Sequence, residues 1–225
     1  MIIFDKVTKK FPLGNTALDN LEFTIEDNEF VFLVGPSGAG KTTILKLILK
    51  EIDPSLGTII IDEDDITSKN FNNLENLRKK IGIIFQDFKI LYDKNVFENV
   101  SLTCNIENLN IKQTKEKTNQ ALKLVGLEEK KYLFPIQLSA GEIQRIAIAR
   151  AIVTERKYLL ADEPTGNLDP KTAWEIIKIF KRFENKKTII IATHNIDIVN
   201  SLEKRVIALK QGKIIKDKRK GGYQI

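Results

Sequence analysis

The nine residues GPSGAGKTT, at 35–43, constrain this chain more than any other stretch. Gly35, Gly40, Lys41 and Thr42 satisfy the pattern G-x-x-x-x-G-K-[ST], with a continuous apolar run, FVFLV, entering and a helical pattern leaving. Glycines let the backbone curl until successive N–H groups face inward as an anion nest. The helix N-terminus beyond adds its partial positive charge. Gly35, Pro36, Ser37, Gly38, Ala39, Gly40, Lys41, Thr42 and Thr43 are the expected nucleotide-binding residues. Lys41 is placed to reach the outer phosphates, and Thr42 to offer its hydroxyl to Mg²⁺. The expected ligand is a nucleoside triphosphate.

A second carboxylate site is needed to hold the metal, and the chain supplies one. YLLADE, 158–163, is a short apolar strand ending in two acids. Asp162 suits Mg²⁺ through its water shell, and Glu163 suits polarisation of an attacking water. Alone, such a run is equally a strand end entering a polar turn; beside a phosphate loop it reads as the metal and base pair.

The bulk numbers exclude little but exclude it firmly. At 225 residues, 42% hydrophobic and 29% charged, the chain has the make-up of an ordinary soluble globular protein with a sizeable core. Cys104 is the single cysteine, so no internal disulfide can form. MIIFDKVTKK lacks the flanks of a signal peptide, and no run nears the roughly 18 apolar residues of a membrane span. A cytoplasmic chain is expected. The formal charge of +6 comes from evenly spread lysines and reads first as a solvated surface, with nucleic acid or an anionic membrane as the other reading. KDKRKGG, 216–222, is the one dense basic cluster.

Strand-like runs lie at 2–4, 30–34, 58–62, 82–85, 158–161, 188–192 and 206–209, mostly continuous and apolar, as in strands buried on both faces. Gln211-Gly212 then turns into 213–215 as a hairpin. Helical patterns occupy 40–50, 113–125, 141–153 and 170–183, and 87–154 holds little convincing strand. The expected fold is α/β: a mixed sheet core with an antiparallel β portion and a helical lobe. One nucleotide-binding domain over 1–225 is expected, with a core lobe at about 1–86 and 155–225 and a helical lobe at about 87–154.

Taken in order, GPSGAGKT, FQD (85–87), LSAGE (138–142), LLADEPTGNLD (159–169) and ATH (192–194) resemble the nucleotide-binding subunits of ATP-binding-cassette (ABC) proteins, P-loop NTPases, across essentially the whole chain. The resemblance implies an ATP hydrolase with Mg²⁺, working as a homodimer. It places Phe11 where an aromatic stacks on adenine, though Phe11 also reads as a core residue beside the first strand. It makes Gln86 the residue that contacts Mg²⁺ and the attacking water, and His194, the only histidine, a γ-phosphate sensor. Ser139, Gly141 and Glu142 match the signature sequence, which in the family meets the γ-phosphate held by the other subunit. Taken alone, Ser139 and Glu142 read first as a plain capping box. Asp169 before Pro170 reads both as an N-cap and as part of a cross-dimer loop. Two departures stand out: Ala140 where glycine is usual, and Ile143 where glutamine is common. Ala140 is tolerable if its backbone angles are ordinary.

The wording between motifs is narrower. IGIIFQDFKIL, FPIQLSAGE and ADEPTGNLD look like the bacterial cell-division (FtsE-type) branch. That resemblance implies an integral membrane partner of FtsX type, regulation of cell-wall hydrolysis, and a peripheral place on the cytoplasmic face of the membrane, at the division septum. The alternative is the ATPase of a lipoprotein-releasing or macrolide-export transporter. A soluble ABC ATPase acting on nucleic acid or ribosomes ranks below both, since the chain lacks duplicated cassettes and long coiled coils; no nucleic acid is expected.

Overall fold

In a computed structural model, residues 1–12 and 14–220 are described. Along the chain the elements are β1 (Ile2–Lys10), β2 (Thr16–Ile25), β3 (Phe30–Val34), α1 (Lys41–Ile48), β4 (Leu56–Ile61), β5 (Asp64–Asp65), α2 (Leu74–Lys79), β6 (Ile81–Ile84), α3 (Val96–Ile106), α4 (Ile111–Val125), α5 (Ala140–Ile152), β7 (Tyr158–Asp162), α6 (Pro170–Lys181), β8 (Thr188–Thr193), α7 (Ile196–Leu202), β9 (Arg205–Lys210) and β10 (Lys213–Lys218). Two 3-10 turns, Glu128–Lys130 and Pro135–Gln137, precede α5. The chain divides into two compact units: Met1–Lys79 together with the chain from Glu184 onward, and Lys80–Phe183. The segment 87–154, expected to be helical, lies inside the second and contains no strand among the described residues.

The first unit carries both kinds of sheet. β2-β1-β4-β5 is antiparallel, with Phe4 opposite Phe23 and their rings stacked at 4.6 Å. β3 pairs in parallel with β8 and with β9, and β10 turns back antiparallel on β9. Every residue of β3 and β8 is buried, which is why both read as unbroken apolar runs. Gln211 and Gly212 both have positive φ (49° and 75°), the two-residue turn whose twist matches its strands. β10 runs to Lys218, longer than the expected 213–215, and takes in Lys216 and Asp217 of the basic cluster, Asp217 pairing with Arg205 at 2.7 Å. Gly221 and Gly222 of that cluster lie outside the described residues.

The second unit packs α3, α4 and α5 together around Val96, Val100, Cys104, Leu122, Ile146 and Ala149, all buried, with β6 parallel to β7. Asn99 is fully buried within this helical core. Its side chain is satisfied by Leu91 N and by the carbonyls of Leu91, Lys94 and Asn95, tying α3 to the segment before it.

Candidate active site

The phosphate loop is built where β3 ends and α1 begins, within the first unit. Gly35 (φ 151°) and Gly40 (φ 108°) have conformations that side chains rarely adopt. A Cβ on Gly35 would lie 2.3 Å from Leu209 O, and one on Gly40 would lie 2.6 Å from Leu18 Cδ2. Both glycines are therefore demanded twice, by torsion and by space. No side chain caps α1, so its first-turn N–H groups remain for an anion. Lys41 is 7% exposed, and its ammonium donates to Gly35 O at 2.7 Å and Pro36 O at 3.2 Å, lying over the curl. Thr42 is exposed and Thr43 half-buried, while Pro36, Ser37 and Gly38 form the exposed crest and Ala39 is buried. The loop is braced from behind by the β9–β10 turn, where Gly212 N donates to Ala39 O at 3.2 Å.

His194 is displayed to solvent between the buried Thr193 and Asn195, which caps α7 by accepting from Ile198 N at 3.1 Å. Phe11 stands at the tip of the β1–β2 hairpin and is 37% exposed, so it is not a core residue. Lys9 Nζ lies 5.3 Å from the centre of its ring.

In the second unit, Asp162 ends β7 buried, and Glu163 follows with φ 47°. A non-glycine residue in that region is strained, as functional turns often are. Gln86 is exposed just after β6. Two left-handed residues, Phe88 (φ 59°) and Lys89 (φ 49°), follow it. Arg150 of α5 holds both: its guanidinium donates to Phe88 O at 3.0 Å and Lys89 O at 2.7 Å. Burial pulls the Arg150 pKa down, though an arginine stays charged.

The signature residues open α5. Ser139 is its N-cap and Glu142 completes the box, so the capping reading holds in full: Glu142 Oε2 accepts from Ser139 N (2.9 Å) and Ser139 Oγ (3.0 Å). Ala140 is the first helical residue and has no positive φ, so its methyl group costs nothing in torsion. Lys130, pairing with Glu142, holds that carboxyl below its ordinary value, helped by the Ser139 N–H. Asp169 caps α6 through Thr172 N at 3.1 Å and Thr172 Oγ1 at 2.5 Å, which keeps its carboxyl low as well.

The family model described as "ABC transporter" matches residues 18–166. The chain belongs to the ABC transporter family. As an ABC cassette it is an ATP hydrolase, with the mixed α/β architecture of that class. It is 44% identical to the cell division ATP-binding protein FtsE of Bacillus subtilis (strain 168), over 99% of this chain and 98% of that protein. It is 38% identical to FtsE of Mycobacterium tuberculosis over 99% and 98%. A methionine import ATP-binding protein, MetN 1 of Bacillus thuringiensis, is 38% identical over 96% of this chain and 66% of its own length. A dimeric ATP-binding cassette in a post-hydrolysis state, bound to ADP and Pi, superposes with a TM-score of 0.87 at 32% identity, over 99% of this chain and 100% of that one.

Several residues of this ABC cassette support a motif without belonging to one: the side chains of Lys130, Arg150 and Thr172, and the backbone N–H of Gly212. For Gly212 the turn dipeptide was a usable signal; for the other three nothing local marks the role.

Proposed function

We propose that this chain is the FtsE-type ATPase of a membrane complex, working as a homodimer beneath an FtsX-type integral membrane partner. Its closure on ATP would regulate cell-wall hydrolysis at the division septum. The observation that carries this is the 44% identity to a cell division FtsE over nearly the whole of both chains. By contrast, the import ATPase is matched over only 66% of its length. No helix among the described residues is long and apolar enough to cross a membrane, which fits a peripheral subunit.

The chemistry follows from residues whose surroundings suit it. The nest at 35–43 binds the triphosphate, with Lys41 exchanging its carbonyl partners for outer phosphate oxygens. Thr42, Asp162 and Gln86 offer a hydroxyl, a carboxylate and an amide carbonyl, the hard oxygen set that suits Mg²⁺. When bound, that ion supplies charge neutralisation at the phosphates. Glu163 orients and polarises the water, His194 contacts the γ-phosphate, and Phe11 stacks on adenine. Ser139 and Gly141 of one chain meet the γ-phosphate held by Lys41 of the other, with Asp169 in the loop between chains. Hydrolysis then lets the pair open.

The test is to purify the membrane complex formed with this chain and identify what copurifies by mass spectrometry. A four-span FtsX-type protein supports the reading. A permease with a substrate passage reassigns the ATPase to transport, the second reading that the MetN likeness favours.

A further inference from the structure

The signature loop carries a negative charge where the proposed reaction needs none. Glu142 Oε2 lies against Ser139, accepting from its N–H at 2.9 Å and its hydroxyl at 3.0 Å. Left bare, that carboxylate would act against the contact assigned to Ser139 in two ways. It would repel an approaching triphosphate. It would also bind tightly the hydroxyl proton that the γ-phosphate is to receive.

The fold supplies the counter-charge from outside the motif. Lys130 Nζ pairs with Glu142 Oε1, the oxygen that Ser139 does not use. Lys130 does not reach in from a loose segment. It closes the 128–130 turn with its N–H on Leu127 O at 3.0 Å, and its own carbonyl accepts from Leu133 N at 3.0 Å. The same stretch is pinned to the start of α3, where Phe97 N donates to Lys131 O and Val96 N to Leu133 O. Lys130 is 44% and Glu142 23% exposed, so the pair is partly screened but not a free surface contact.

We propose that Lys130 is a positioning residue for the γ-phosphate contact. Acting through Glu142, it holds Ser139 in place and offsets the carboxylate charge that a bound triphosphate would meet. This rests on the assignment of Ser139 made above. A merely structural ion pair would alter stability and leave nucleotide-driven assembly alone.

The test titrates MgATP against dimer formation, read by analytical ultracentrifugation, with the full chain in a Glu163→Gln background. Lys130→Met should raise the ATP needed for half-dimerisation roughly three- to tenfold, the range of a partly exposed charge-assisted pair. Lys130→Arg should restore most of the loss, and added salt should shrink it. With Glu142→Gln, which keeps the capping box, Lys130→Met should change nothing further, because the charge to be offset is gone. A Lys130→Met chain that dimerises like its parent overturns the proposal, as does a loss that persists in full beside Glu142→Gln; either leaves Ser139 in its role. A Ser139→Ala chain that dimerises like the parent removes the assignment of Ser139, and this proposal with it.

Discussion

Gly141 lies so close to Thr172 that a Cβ at position 141 would sit 2.5 Å from Thr172 Cγ2. Thr172 in turn is held by Asp169, through its hydroxyl at 2.5 Å and its N–H at 3.1 Å. The start of α5 therefore rests on the start of α6, and the two loops assigned to contacts between chains share one wall. Glycine at 141 answers a packing demand in addition to any demand of the phosphate.

Gly141→Ala should destabilise by about 1–3 kcal/mol, as overpacking does, measured by denaturant unfolding. Adding Thr172→Ser removes the clashing methyl and keeps the hydroxyl bond to Asp169, so the double variant should recover most of the loss. No recovery would place the strain elsewhere.

Glu163→Gln keeps the size of the side chain and removes its basicity. ATP binding should persist while turnover falls by about 10²–10⁴-fold, and a dimer should accumulate with ATP but not with ADP. Full turnover would strip Glu163 of its role.

Lys41→Ala removes an ammonium that bonds two loop carbonyls and is assigned to the outer phosphates. Tight ATP binding should be lost in calorimetric titration. Unchanged affinity would contradict the phosphate-loop assignment.

Arg150→Lys replaces a fork that spans two carbonyls with a point charge. Because Phe88 and Lys89 are both left-handed, the loop after Gln86 depends on that fork. Stability should fall by about 1–3 kcal/mol, and hydrogen exchange should quicken at 86–90 before it does in α5. Equal protection in both chains would show that the loop holds itself.

Glu142 titrates below its ordinary value of 4.5 in the folded chain, chiefly through Lys130 and then the Ser139 N–H. A depressed carboxylate contributes stability above its unfolded pKa and loses it as pH falls through the folded one. In the parent chain that contribution should be full above pH 4.5 and fade as pH falls from there through the lowered folded value. Lys130→Met should remove most of it, so that the variant is less stable than the parent above pH 4.5 and the two stability–pH curves converge as pH falls. A gap between the two curves that stays the same at every pH, or no gap at all, would mean that the pair does not hold the charge in solution.

Where the sequence was legible, the reason was local. FVFLV and TIIIAT are buried on both faces, so their strands read as continuous apolar runs. β2 did not read as a strand because Asn20 takes φ 51° and the pairing with β1 shifts register beside it. Its buried residues are then Leu18, Leu21, Phe23 and Ile25, which breaks the alternation of two. α3 escaped because Asn99, Ser101 and Cys104 share its buried face with only two valines, a weak apolar stripe. α2 and α7 span fewer than two turns each, too short for a period to show.

The sequence by itself determined the chemistry: a phosphate nest, two acids at a strand end, a capped signature helix, and the order that joins them into an ABC cassette. Those features are contiguous, so their geometry follows from neighbouring torsions and caps. Tertiary structure alone decided which of 36 basic residues neutralises Glu142, which arginine clasps the loop after Gln86, and which threonine closes the space at Gly141. Those partners lie 12 to 62 residues apart in the chain. Only the packed course of the backbone brings them within bonding distance.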